Sequence, residues 1–209
     1  MSATFAADRL AKHLQGVHLQ GTGKLFNVEV SYHPHGNSAP SRKGLIEALP
    51  KLIDQACESV SKDHPNILVF LPGKGEISET MKHLTHQWHQ CGLDLVREVI
   101  PLHGGLALSE QAKVFDDTSK QRVILATNVA ETSLTVPKVG LVIDSGLVRQ
   151  TRYDSGRGAL SLTEIAYDSA EQRRGRAGRL SVGQCWRMWS QGSALKPFTV
   201  PEIHRESIS

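Results

Sequence analysis

Residues Asn66–Gly73 read NILVFLPG, and how this stretch is read decides the fold. A short, uninterrupted apolar run stopped by proline and glycine is a strand buried on both faces, as in a parallel sheet. Working outward, the stretch from Gly75 to Gln90 has helical length, and LDLVREVIPLH (Leu93–His103) is a second strand. SEQAKVF (Ser109–Phe115) is a helix, and RVILAT (Arg122–Thr127) and VGLVIDSG (Val139–Gly146) are further strands. Upstream, NVEVSYH (Asn27–His33) alternates apolar and polar as a half-buried strand does. PSRKGLIEALPKLIDQACESVSK (Pro40–Lys62) is a long helix in which Pro50 predicts a break or kink. Downstream, LVRQTRYDSGRGALSLTEI (Leu147–Ile165) reads as two strands around an SGRG turn, and GQCWRMWS (Gly183–Ser190) as a last strand. β-Branched runs alternating with helices predict an α/β fold: a parallel sheet sandwiched by helices, with an inserted β-hairpin. Ligands of such sheets bind beyond the carboxyl ends of the strands. That edge holds the loops after Leu71, Leu102, Ala126 and Asp144.

Bulk composition narrows the class without naming a partner. The chain has 209 residues, 39% hydrophobic and 22% charged, with a net charge of +3 and a pI near 8.8. This is an ordinary soluble globular composition whose mild basic excess is compatible with nucleic acid. Cys57, Cys91 and Cys185 are odd in number and far apart, so neither a disulfide framework nor a zinc site is indicated, and no metal ligand set is assigned. The start MSATFAADRLAKHL has no apolar export core, and the longest apolar stretch is too short to span a bilayer. The expected setting is the reducing cytoplasm, with no membrane.

SAEQRRGRAGRL (Ser169–Leu180) packs four arginines between glycine and alanine. Ser169 with Gln172 has the form of a capping box, so a helix is predicted to start there, with Gln172, Arg176 and Arg179 on one stripe and Arg173 and Ala177 on another. Gly175 and Gly178 would each cost a helix about 1 kcal/mol relative to alanine, which implies a close approach to the backbone. A plain solvated basic face is the alternative.

LVFLPGKGEI, LHGGLALSEQ, ILATNVAETSLTVP, LVIDSG and QRRGRAGR occur in this order and at spacings that resemble the second RecA-like domain of DEAH-box RNA helicases, the bacterial HrpB-type branch in particular. MSAT at the N-terminus resembles the motif ending that family's first RecA-like domain, and PEIHRES resembles the approach to its winged-helix region. The resemblance implies a hinge segment over 1–35, a second RecA-like domain over 36–192, and the start of a linker over 193–209.

It also implies roles. Gln172, Arg176 and Arg179 would face the nucleotide phosphates, the two arginines as fingers across an interdomain cleft, because phosphoryl transfer needs cationic forks on the transferring oxygens. Phe115 would stack on the base, Ser133 and Thr135 would lie near the nucleotide, and Asp144 and Gly146 would shape its edge. For Phe115 a core position is the alternative, and for Asp144 a turn. Thr127 and Asn128 would contact the RNA backbone, or else satisfy a strand-end turn. Gly73, Lys74, His103 and Gly104 would set amides and small residues against RNA phosphates, although simple turn chemistry also explains the glycines. The hairpin around Tyr153–Gly158, with Arg149, Arg152 and Arg157, would separate strands or merely protect a sheet edge. Ser2 and Thr4 would couple the two motor domains.

GTGKL (Gly21–Leu25) mimics a phosphate loop, yet Lys24 is followed by leucine and position 18 is histidine. No DEAH-like acidic run is present either. ATP and Mg²⁺ are therefore expected to bind mainly to a first RecA-like domain, and the chain alone is expected to be inactive as an ATPase. The alternatives are a non-catalytic RNA-binding or regulatory module, or a half-motor that completes another chain's site.

Overall fold

The computed structural model describes residues 11–17, 26–34, 39–132, 134–154 and 157–199. Strands β1 (Val28–Tyr32), β2 (Asn66–Phe70), β3 (Arg97–Leu102), β4 (Gln121–Ala126), β5 (Val139–Asp144) and β8 (Gly183–Arg187) form a six-stranded sheet in the order β1-β8-β5-β2-β4-β3, with every pairing parallel. β2 lies near the middle, Leu68 in register with Ile124 of β4 on one side and Val142 of β5 on the other. Its five residues are all buried, as its continuous apolar run predicts.

Strand alternation sorts the core into two layers. Ile67, Val69 and Leu71 pack with Leu45, Leu49 and Ile53 of α1 (Arg42–Ser59) and with Ile77, Leu84 and Trp88 of α2 (Lys74–Gln90). Leu68 and Phe70 face the opposite layer with Val114, Ile124, Ala130 and Ala177. Fully burying one such large side chain contributes about 1.5–3 kcal/mol. That term explains why α1 runs through Pro50 instead of breaking there. A mid-helix proline costs about 3 kcal/mol, and the buried face carrying Leu45, Leu49, Leu52 and Ile53 offsets it. Ser41 caps α1, its Oγ accepting from the Gly44 amide at 3.2 Å.

Several boundaries differ from the sequence reading for identifiable reasons. Gly92 adopts φ +69, and a 3₁₀ turn over Leu93–Leu95 follows, so β3 starts only at Arg97. The helix predicted at Ser109–Phe115 is α3 (Leu108–Ala112) followed by a 3₁₀ turn over Lys113–Phe115. β1 falls within the predicted hinge segment 1–35, yet it is an edge strand of the main sheet, in register with β8 from Val28↔Gly183 to Tyr32↔Arg187.

The arginine stretch departs most. α5 spans Tyr167–Arg174, with Ala166 at its N-cap. It starts before Ser169 because the Tyr167 and Asp168 amides donate to the carbonyls of Lys196 and Pro197, which fold back over its first turn. Ser169 is thereby free to donate its hydroxyl to the Glu131 carboxylate. The helix ends at Gly175, and tight turns follow, Arg176 N–H to Arg173 O and Ala177 N–H to Arg174 O. Gln172, Arg176 and Arg179 therefore do not share a helical stripe. The close approach expected at the glycines occurs at Gly178, where a Cβ would lie 2.6 Å from Val28 Cγ2 and 2.7 Å from the Phe26 carbonyl oxygen. Gly175 has no such crowding, its nearest neighbours being carbonyls at 3.5 Å.

β6 (Leu147–Asp154) and β7 (Arg157–Glu164) pair antiparallel as a separate two-stranded hairpin. The chain enters it through Gly146 at φ +73, and the Ile165 amide closes its base on the Gly146 carbonyl.

Candidate functional site

Because the sheet is wholly parallel, the turns after β2, β3, β4 and β5 all leave from one edge. Backbone bonds draw them together: the Leu71 amide donates to Ala126 O, Thr127 to Leu102 O, and Ser145 to Phe70 O. Lys74, exposed at the start of α2, reaches across to the His103–Gly105 turn, where its Nζ lies against the position a Gly105 Cβ would occupy. The Gly105 amide donates to His103 Nδ1 at 3.2 Å. Burial, and then the Lys74 charge, hold His103 below the usual histidine range. Its ring is thus neutral at pH 7 with Nδ1 as an acceptor. Gly73, Lys74, His103 and Gly104 therefore form one cluster. Thr127 and the exposed Asn128 follow β4, the strand between β2 and β3, at the entrance to α4 (Val129–Thr132).

A cavity of about 420 Å³ opens between Asn128 and Glu131, residues Val148–Thr151 of the hairpin base, and the Ile165–Gln172 region of α5. Gln172 and Asn128 both line it, so this pair of predicted residues meets.

Arg176 and Arg179 form a different group. Arg176, 8% exposed, donates to the backbone carbonyls of Leu134, at 2.9 Å, and Glu131. Arg179 donates to Thr135 Oγ1. Burial first, and the neighbouring Arg179 charge second, lower Arg176 to about 10. It still carries its proton at neutral pH. Two guanidiniums side by side, bonded to carbonyls and a hydroxyl, are electrostatically prepared for an anion.

Other predicted residues are placed differently. Asp144 is fully buried. Its Oδ1 accepts from Arg173 Nη1 at 2.8 Å and from the Gly146 amide at 2.9 Å. Gly146 is buried too, with a would-be Cβ 2.7 Å from the Trp189 ring. Within the described fold Asp144 thus has an internal partner, holding Arg173 at the carboxyl end of β5. Phe115 is 50% exposed at the end of its 3₁₀ turn, which leaves its ring available instead of in the core. Ser2, Thr4 and Ser133 lie outside the described residues, as does the side chain of Arg152, whose backbone runs in β6.

The sequence reading missed the hub of the site. Arg173, 1% exposed, bridges Asp144 and Glu131, at 2.8 and 3.1 Å, and its guanidinium stands 4.9 Å from the centre of the Phe70 ring. Burial opposes its charge, yet the two carboxylates raise its pKa above the ordinary value. Helical periodicity had already set Arg173 on a different face from Gln172, which was the available signal.

Comparison with known proteins agrees with this fold. Residues 44–181 match the family described as the helicase conserved C-terminal domain. The chain is 37% identical over 214 residues to the ATP-dependent RNA helicase HrpA of Escherichia coli, covering all of this chain and 16% of that protein. It is 34% identical over 226 residues to the probable ATP-dependent RNA helicase DHX34 of Homo sapiens, covering all of this chain and 19% of that one. The crystal structure of the Escherichia coli DEAH/RHA helicase HrpB superposes with a TM-score of 0.79 at 32% identity, over 97% of this chain and 25% of HrpB. The chain thus spans under a fifth of the length of these two curated relatives. Among the described residues, no helix is long and apolar enough to cross a membrane.

Proposed function

The chain belongs to the helicase conserved C-terminal domain family, homologous to the DEAH-box RNA helicases, and from that premise we propose that it serves as the second motor domain of an ATP-dependent RNA helicase. The observation that carries the reading is the Arg176–Arg179 pair, two neighbouring cations that donate to backbone carbonyls and a hydroxyl. Across a cleft from an ATP-binding first RecA-like domain, these forks would stand on the transferring phosphoryl oxygens. Gln172, in the neighbouring cavity, would orient the attacking water, and the exposed Phe115 ring would stack on the base. Mg²⁺ would be bound by the first domain. Lys74, the His103–Gly105 turn, Thr127 and Asn128 form half of a backbone-reading RNA track, which needs no sequence preference. A cytoplasmic setting fits this work.

The test is ATP turnover by this chain alone and by this chain joined to the first RecA-like domain of a DEAH-box relative, each with and without single-stranded RNA. Turnover is expected only from the joined protein, stimulated by RNA. Arg179→Ala is expected to lower it about 10³-fold or more, the range of arginine fingers, with RNA affinity nearly unchanged. A joined protein that binds RNA without ever hydrolysing ATP would instead favour a non-catalytic RNA-binding module. A large loss of RNA affinity in Arg179→Ala would make that arginine a backbone contact.

A further inference from the structure

Glu76, in the first turn of α2, is fully buried, an uncommon place for a carboxylate, and it joins three elements. Its Oε1 accepts from Arg42 Nε of α1 at 2.9 Å and from Arg149 Nη2 of the hairpin at 2.8 Å. Arg42 also reaches Glu79 at 2.6 Å. Arg149 lies across the backbone of Gly73, where a Cβ would stand 2.8 Å from its Nε and 2.9 Å from its Cδ. A side chain at position 73 would require the Arg149 side chain to shift from its path over the turn between β2 and α2. The hairpin belongs to a separate two-stranded sheet, so side chains must hold it to the body beyond its base at Gly146. The Arg149–Glu76 contact does so three residues into β6, at the turn that carries Lys74.

We propose that Arg149 and Glu76 are a positioning pair that locks the β6–β7 hairpin to the Gly73–Lys74 turn, so that the turn gripping an RNA backbone and the hairpin beyond it move as one body. The proposal rests on the RNA reading of that turn given above. Glu76 then has a mechanical role, because it links the RNA-bearing turn directly to the hairpin, beside the packing of Leu147 and Leu162 on the core. Glu76 keeps its Arg42 partner when Arg149 is lost, and Arg149 is partly exposed, so losing either side breaks this one link without leaving a fully buried charge uncompensated.

The test is hydrogen exchange of the full chain, with and without oligouridine, whose binding is followed separately by fluorescence anisotropy. In the wild type the first residues of β6 are expected to exchange slowly without RNA, and oligouridine is expected to slow both them and the Gly73–Lys74 turn. Glu76→Gln and Arg149→Met should speed exchange at the start of β6 about tenfold or more, leaving β2, β4 and β5 unchanged. Oligouridine should then protect the turn but no longer the hairpin. Arg149→Met leaves the Arg42–Glu76 contact in place, so it keeps the test open if Glu76→Gln fails to fold, and Arg149→Lys should restore part of the coupled protection. Unchanged exchange of β6 in both variants overturns the lock whether or not RNA binds. Hairpin protection by oligouridine that survives in both variants also overturns it. Absence of any oligouridine binding by the wild type defeats the RNA reading and the proposal with it.

Discussion

Arg173 illustrates how much of this site rests on one buried charge. Its guanidinium satisfies Asp144 and Glu131 while lying against the Phe70 ring, so it ties the carboxyl end of β5, the segment after β4, and α5 together. Truncating it would leave Asp144 buried without its cation, which costs about 3–5 kcal/mol. Arg173→Ala is therefore expected to lower stability by that amount in urea denaturation, whereas Arg179→Ala, whose side chain is partly exposed, should stay within about 0.5 kcal/mol of wild type. The contrast separates the arginine that builds the site from those available to a ligand. The run QRRGRAGR shows where guanidiniums are concentrated, but not which carboxylate each one meets. Asp144 lies 29 residues and Glu131 42 residues from Arg173, and only the fold brings them together. Phe115 and Asp144 were open to two readings each in the sequence, and exposure places the first at the surface and the second inside.

At the scale of the element, the two glycines after α5 should respond oppositely to a methyl group. Gly175 has helical φ of −61 and only ordinary contacts, so Gly175→Ala should gain about 0.4–1 kcal/mol by restricting the unfolded chain. Gly178 is pressed against Val28 and the Phe26 backbone, and Gly178→Ala should lose about 1–3 kcal/mol through overpacking. Thermal denaturation of the two variants reads both signs. The hairpin has its own pH signature. Burial alone would raise the Glu76 carboxyl, but the hydrogen bonds from Arg149, its own backbone and Arg42 hold it below the ordinary carboxylate range, with Glu79 also on Arg42. A carboxyl so depressed stabilises the fold fully above its unfolded value and loses that contribution as pH falls through the lowered one. Exchange protection at the start of β6 is therefore expected to persist at neutral pH and to fade below about pH 4. Strands were the most readable elements, since β-branched runs admit few alternatives. α5 was misplaced because Ser169 carries a capping signal, while its actual start is set by carbonyls of Lys196 and Pro197 supplied from further along the chain.

Over the whole molecule, the thiols report on integrity. Burial pushes Cys57 in α1 and Cys185 in β8 up to about 12, while Cys91 is exposed. A thiol reagent at mildly alkaline pH should modify Cys91 alone in the folded protein and all three cysteines in urea. Labelling of Cys185 before global unfolding would mean that β8 opens on its own. That strand matters for a further reason. The Tyr32 and Arg187 side chains meet at 3.2 Å across 155 residues of sequence, because, among the described residues, β1 pairs with β8 and no other strand. During synthesis, β1 leaves the ribosome long before the strand it must pair with. It therefore waits as an unpaired strand while the centre of the sheet assembles, and this sheet closes only once β8 has been made.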